Sequence, residues 1–229
     1  MKNVEIKYKS KSIIVVCKPA GIPSQPDPSG DKDAMTLCAE ALSALGESTE
    51  LYPINRLDRV VGGLIVFARN KRSAAELSSI VSGADMLKEY IAVVSGKPEG
   101  GRYTDYLYKD ARLSKAFRVD RKRQGVKEAI LDCTPIETVS LDSGDITLVR
   151  VRLYTGRYHQ IRCQLSSRGY PIVGDGKYGS RDKGARCPAL FADRLCFETS
   201  GERVDATASP DLGEYPWSLF SLDKVGDIN

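Results

Sequence analysis

The 229 residues contain a single histidine, His159, and a single tryptophan. One imidazole excludes multi-histidine metal sites and histidine-pair acid–base chemistry. The six cysteines, Cys17, Cys38, Cys133, Cys163, Cys187 and Cys196, include no pair at the two-residue spacing of zinc or redox motifs. They are expected to be reduced structural thiols, and neither a metal nor a cofactor is predicted. Long apolar runs are also missing. The longest, Ile13–Cys17, Leu64–Ala68 and Tyr90–Val94, have five residues each, whereas a membrane helix needs about 20. Residues 1–7 lack the apolar core of an export signal. The expectation is a cytoplasmic protein without a membrane segment. A hydrophobic fraction of 41% is too high for a disordered chain. The length fits a single domain, 1–229, able to bury about 70% of its unfolded surface without disulfide or metal staples.

Charge is present in bulk and unevenly placed. The net charge is only +4. Lys109–Glu128 nevertheless holds eight basic residues (Lys109, Arg112, Lys115, Arg118, Arg121, Lys122, Arg123, Lys127) against Asp110, Asp120 and Glu128, so this segment alone is +5. A second stretch, Ile146–Gly174, carries Arg150, Arg152, Arg157, Arg162 and Arg168 with no acid and no lysine. Arginine's planar fork suits bidentate phosphate contacts. Two cationic zones fit a polyanion such as RNA, although a solvated basic loop and a charged strand face would read the same way.

Hydrophobic periodicity supplies the elements. Ser12–Cys17 and Leu64–Ala68 are short, apolar, β-branched runs and predict buried strands. Between them lie a proline-rich loop (18–26), a helix over Thr36–Leu45 and a loop over Asn55–Gly63. Asn70 can cap a helix over Lys71–Ser82 that Gly83 ends. Lys88–Ser95, Arg102–Lys109, Ala116–Asp120, Glu128–Ser140 and Asp145–Tyr154 predict strands joined by short turns, hence antiparallel pairing. Tyr158–Ser167 predicts a helix with Tyr158, Ile161 and Leu165 on its apolar face. The last 30 residues lose periodicity, and 222–229 is expected to be a loose tail. The predicted class is α+β: a mixed, mostly antiparallel sheet with few helices.

Three islands carry chemistry. In Asn55-Arg56-Leu57-Asp58-Arg59, an aspartate between two arginines has its charged form favoured. That suits a carboxylate nucleophile, and equally an anchored ion pair. Lys88-Glu89-Tyr90 puts a tyrosine at the head of a strand, where its ring could stack on a base. Gly156-Arg157-Tyr158-His159-Gln160-Ile161-Arg162 places Arg157 and His159 at a helix start, where they could hold phosphate. Arg162, beside an apolar position, is expected at the core edge, where it would need a carboxylate partner.

Together these islands resemble the RluA-type family of RNA pseudouridine synthases. The family's His-Arg-Leu-Asp-x-x-Thr-Ser-Gly motif matches Asn55–Gly63, and its Lys-x-Tyr strand matches Lys88-Glu89-Tyr90. Its Gly-Arg-x-His-Gln-Ile-Arg followed by Pro-Ile-x-Gly-Asp matches Gly156–Arg162 and Pro171–Asp175, and its Lys-Pro-x-Gly matches Lys18–Gly21. The resemblance runs from about residue 10 to 200, leaving no room for the amino-terminal S4-type domain of some members. Asn55 stands for the usual histidine, Val61-Gly62 for Thr-Ser, and Cys163-Gln164 for a common Val-His. The lost hydroxyls remove hydrogen bonds that would fix the loop.

The resemblance implies a cofactor-free isomerisation of uridine to pseudouridine in structured RNA (rRNA or tRNA), on a base taken out of its stack. It implies Asp58 as catalytic carboxylate, attacking either the ribose carbon or the ring. Arg162 would pair with Asp58, and Tyr90 would stack on the uracil and assist proton removal from C5. Arg56 would enter the gap left by the base. Lys18, Arg157 and His159 join it as RNA contacts. Arg121, Lys122 and Arg123 lie in the basic segment, read as an RNA-gripping hairpin. A monomer without obligate protein partner is expected. Two other classes share some of these features. One is a non-catalytic RNA-binding protein of the same fold. The other is a carboxylate glycosyl-transfer or hydrolase enzyme, which would need a second acid that these motifs do not supply.

Overall fold

The computed structural model describes residues 3–83 and 85–221; the expected loose tail, 222–229, lies outside them. In chain order the elements are β1 (Glu5–Lys9), β2 (Ile13–Lys18), α1 (Ala34–Ala44), β3 (Tyr52–Pro53), β4 (Gly62–Ala68), α2 (Lys71–Ser82), β5 (Leu87–Ser95), β6 (Gly101–Asp110), β7 (Lys115–Val119), β8 (Val126–Leu141), β9 (Gly144–Leu153), α3 (Gln160–Ser166), β10 (Leu190–Glu198) and β11 (Arg203–Thr207). The class is α+β, as the patterning predicts. The described residues divide into two compact units, one formed by those up to 88 with 191–210, the other by 89–190 with 211–221.

In the first unit β2 and β4 form an antiparallel pair, with Ile13 opposite Ala68 and Lys18 opposite Gly63. Every residue of β4 is buried, which is why its apolar run is continuous rather than alternating. β1 pairs antiparallel with β2, and the short β3 with β4. β10 lies parallel to β4 through Phe191 and Ala192, and β11 returns antiparallel to β10. Only a glycine can stand at 63. Its φ is +119°, and a Cβ there would come within 2.3 Å of the Ala192 carbonyl oxygen. Both helices start where a side chain caps them: Asp33 accepts from the Thr36 amide and Asn70 from the Ser73 amide.

The second unit contains β5, β9, β8, β6 and β7 in that order, all antiparallel. α3 brings Cys163 against Leu107, Ala116, Ala129 and Tyr178. Here the predicted strands appear with their ends shifted by one or two residues.

Four strands were not predicted. β1 alternates exposed and half-buried residues over a polar sequence, EIKYK, so it has no apolar signal. β3 has two residues. β10 carries Asp193 and Arg194 inside its run, and the five-residue β11 lies in the stretch predicted to lack periodicity. Partners in the sheet, rather than local pattern, make these segments strands. The third helix also starts later than predicted. Tyr158 precedes it and is exposed, so it belongs to no apolar helix face.

Candidate functional site

In the first unit the loop before β4 carries Asp58. It is held by backbone-directed bonds from the end of β2 and the loop that follows, residues 18–24. The Ser24 hydroxyl accepts from the Leu57 amide at 3.0 Å and donates to the Leu57 carbonyl at 2.9 Å. The Gly21 amide donates to the Arg59 carbonyl at 2.7 Å. Lys18 is fully buried, and its ammonium donates to the carbonyls of Pro19, Ile22 and Arg59 at 3.1, 2.9 and 3.3 Å. A buried charge is tolerable only where its donors are used.

These contacts correct the sequence reading of Lys18 as an RNA contact: it is a brace inside the protein. They also show what the Lys-Pro-x-Gly motif does, since its Lys and Gly meet the same carbonyl. Ser24, a residue that no motif marked, supplies a hydroxyl that bonds both the amide and the carbonyl of Leu57. Asn55 accepts from the Val66 amide at 2.8 Å and ties the start of the loop to β4.

The two arginines beside Asp58 behave differently from each other. Arg59 turns to Asp31, at 2.6 Å, and to Asp27, at 3.5 Å. The Asp31 hydrogen bond, helped by the charge of Asp27, raises the Arg59 pKa. Arg59 is therefore committed to the 27–31 loop, contrary to the simple picture of a carboxylate flanked by two cations. Arg56 is exposed and Asp58 half-buried.

In the second unit Tyr90 lies on β5 opposite Val151 of β9 and is buried. Arg162 sits in α3, 4% exposed, with Nε 2.7 Å and Nη2 2.8 Å from the two carboxylate oxygens of Asp175. The predicted need for a carboxylate is met, and within this unit the bidentate partner is Asp175. A turn of 3₁₀ helix, Gly176–Tyr178, follows Asp175 at once. It brings the Tyr178 ring centroid to 5.0 Å from the Arg162 guanidinium carbon. The Tyr178 hydroxyl accepts from the Ala116 amide of β7 at 2.8 Å and lies 3.0 Å from His159 Nδ1. Burial raises its pKa well above the usual phenol value, so it stays neutral. Arg162 is thus gripped from one side by a carboxylate and from another by a ring that is itself tied to β7. Asp175 ends the Pro-Ile-x-Gly-Asp motif, to which the sequence gives no role of its own, and Tyr178 lies outside every motif.

His159 and Arg157, expected to hold phosphate at the start of α3, are placed differently from each other. His159 is buried, with φ +51°, and its side chain does not cap α3. The Gln160 side chain instead ties down the segment before the helix, accepting from the Arg157 amide at 3.0 Å and the Thr155 hydroxyl at 2.8 Å. Arg157 spends its Nε on the Glu128 carbonyl at 2.7 Å. Of the departures in α3, Cys163 donates to the Ala116 carbonyl and Gln164 to Asp105. Burial pushes the Cys163 thiol up to about 11. By contrast, Arg121, Lys122 and Arg123 are all exposed, in the connection from β7 to β8.

Residues 12–167 match the family model described as RNA pseudouridylate synthase. The chain belongs to this family, of the RluA type. It is 32% identical to the tRNA pseudouridine(31) synthase of Saccharomyces cerevisiae over 91% of this chain and 53% of the relative. It is 34% identical to RNA pseudouridine synthase 7 of Arabidopsis thaliana over 97% and 55%. Among solved structures, Human RNA Pseudouridylate Synthase Domain Containing 1 superposes with a TM-score of 0.78, covering 98% of this chain and 94% of that one at 23% identity. That likeness is one of fold. The chain spans about half the length of these two curated relatives. Family membership accounts for the three islands at once.

Proposed function

We propose that this protein isomerises uridine to pseudouridine in structured RNA, rRNA or tRNA, as a cytoplasmic monomer. The N1–C1′ bond of the nucleoside breaks and a C5–C1′ bond forms. The proton on C5 is lost and N1 gains one, so no redox cofactor is called for. Asp58 is the nucleophile, at the ribose carbon or at the ring. Tyr90 stacks on the uracil and assists proton removal from C5. Arg162 brings a guanidinium that Asp175 and Tyr178 already hold in one orientation, so little ordering is left for the reaction. Arg56, exposed beside Asp58, fills the gap left by the flipped base and offsets a few kcal/mol of unstacking. Arg121, Lys122 and Arg123 contact phosphates.

The observation that carries this reading is the brace under Asp58. A fully buried lysine, a glycine amide and a serine hydroxyl fix the backbone at Leu57 and Arg59. This is the anchoring a nucleophile needs. A purely RNA-binding role has less support, since Asp58, Tyr90 and Arg162 are all retained.

Asp58→Asn keeps the shape and loses the nucleophile. It should fold and bind RNA as the parent does, and release no tritium from [5-³H]uridine-labelled cellular RNA. Turnover near the parent's rate would remove Asp58 from the role.

A further inference from the structure

β6 and β7 pair with Tyr108 opposite Phe117 and Leu107 opposite Arg118. Alternation along the strands puts Tyr108 and Phe117 on one face, and Leu107 and Ala116 on the other. The second face is the buried one, under α3. The first is open, and Tyr108 and Phe117 are each 36% exposed. Directly opposed residues have Cβ atoms about 5 Å apart, so the two rings rise from neighbouring positions of this face. A cation lies by each ring: the Arg123 guanidinium carbon is 5.8 Å from the Tyr108 centroid, and Lys115 Nζ is 5.6 Å from that of Phe117 and 4.9 Å from that of Tyr178. Arg121 and Lys122 are exposed in the same connection. Of the nearby acids, Asp110 caps the turn through the Arg112 and Leu113 amides. Glu128 lies opposite Tyr106, one step along this face.

We propose that the Tyr108–Phe117 pair is a stacking platform for unpaired RNA nucleotides outside the target uridine, with Arg123 and Lys115 meeting their phosphates. The proposal rests on RNA being the substrate and adds where, and in what state, flanking nucleotides bind. Aromatic faces bordered by cations take bases of any sequence by stacking, provided those bases are not already stacked in a duplex. The charge around the rings matches a phosphate chain, and the rings match its bases. A cationic patch alone would need no exposed aromatic pair.

The test is binding, measured by fluorescence anisotropy with labelled oligouridylate and with a duplex RNA of the same length, across a salt series. Tyr108→Leu with Phe117→Leu keeps an apolar strand face and removes the rings. This variant should bind oligouridylate about tenfold more weakly or worse. Its salt slope should stay that of the parent, because no phosphate contact is lost, and its duplex binding should not change. Tyr108→Phe with Phe117→Tyr should bind as the parent does. Parent-like affinity of the leucine variant for oligouridylate would overturn the platform. So would a changed oligomeric state with unaltered RNA affinity, which would assign the face to a protein contact.

Should the leucine variant fail to fold, photocrosslinking of the unaltered protein to 5-iodouridine-containing RNA decides. Crosslinks at Tyr108 or Phe117 support the platform, and crosslinks found only elsewhere overturn it. None of these readouts needs turnover. Asp58→Asn retaining activity would sink the catalytic assignment and leave the platform standing; unchanged stacking would do the reverse.

Discussion

Two stretches of this chain are almost equally cationic in sequence, and the fold uses them in opposite ways. In Lys109–Glu128 most charges face water, Arg121, Lys122 and Arg123 among them, although Arg118 pairs with Asp105 at 2.8 Å. In Ile146–Gly174 most arginines turn inward to partners. Arg162 clamps Asp175, Arg168 reaches Asp105 at 2.7 Å, Arg150 lies 3.5 Å from Glu89, and Arg157 meets a carbonyl. No acid lies inside this second stretch. Its partners come from as far as 63 residues away in the chain. Charge density in a sequence therefore measures how many cations there are; tertiary structure decides whether they bind a ligand or the protein itself. The first stretch remains the better candidate for RNA contact, and most arginines of the second are spent on the protein's own acids and carbonyls.

The strongest way to break that contrast is Asp175→Ala. It would leave a buried guanidinium without its bidentate partner and should destabilise by about 3–5 kcal/mol, read from the urea midpoint, with turnover lost as well. A loss under 1 kcal/mol would mean that Arg162 does not depend on its bracing.

A smaller effect is expected at Asp105, whose side chain is 2% exposed and bonded to Arg118, Arg168 and Gln164. Burial pushes the Asp105 pKa up, but the hydrogen bonds from Arg168 and Gln164 and the charges of Arg168 and Arg118 outweigh it. The carboxyl stays below the usual range. Such a group adds stability that is fully present above its unfolded value, about 3.9. That contribution is lost as the pH falls through the lower folded value. Asp105→Asn should cost roughly 2 kcal/mol at neutral pH, less than at Asp175 because both arginines reach water. The gap between parent and variant should close in acid below pH 4. A gap that widened there would reverse the assignment.

The smallest effect on stability belongs to the exposed zone. Replacing Arg121, Lys122 and Arg123 by Gln should shift the unfolding free energy by no more than about 0.5 kcal/mol, as is usual for surface sites. It should also flatten the salt dependence of RNA binding by roughly 2 in log–log slope. An unchanged slope would place the phosphate contacts elsewhere.

Much of the fold was legible because local chemistry agreed with it. Asn70 caps a helix that runs from Lys71 to Ser82 as predicted, and the continuous apolar run at Leu64–Ala68 is a buried strand. The unpredicted β1 and β11 have half-buried, polar sequences that become strands only because β2 and β10 offer them an edge. The candidate residues were legible through motif resemblance, and their supports were not. A spacing rule marks Lys18 and His159 as polar groups near a site, but cannot say that both point inward.

By itself the sequence determined the α+β class, most of the strand order along the chain, the family, and the identity of Asp58, Tyr90 and Arg162 as the residues to question. These follow from periodicity and from short motifs, which are local. Only the tertiary structure decided that Lys18 is a brace, that Arg59 belongs to the 27–31 loop, and that Arg162 is held by Asp175 and Tyr178. It also decided that Tyr108 and Phe117 stand side by side on an open face. The physical reason is that partner choice and burial depend on contacts between residues distant in the chain, which local pattern does not encode.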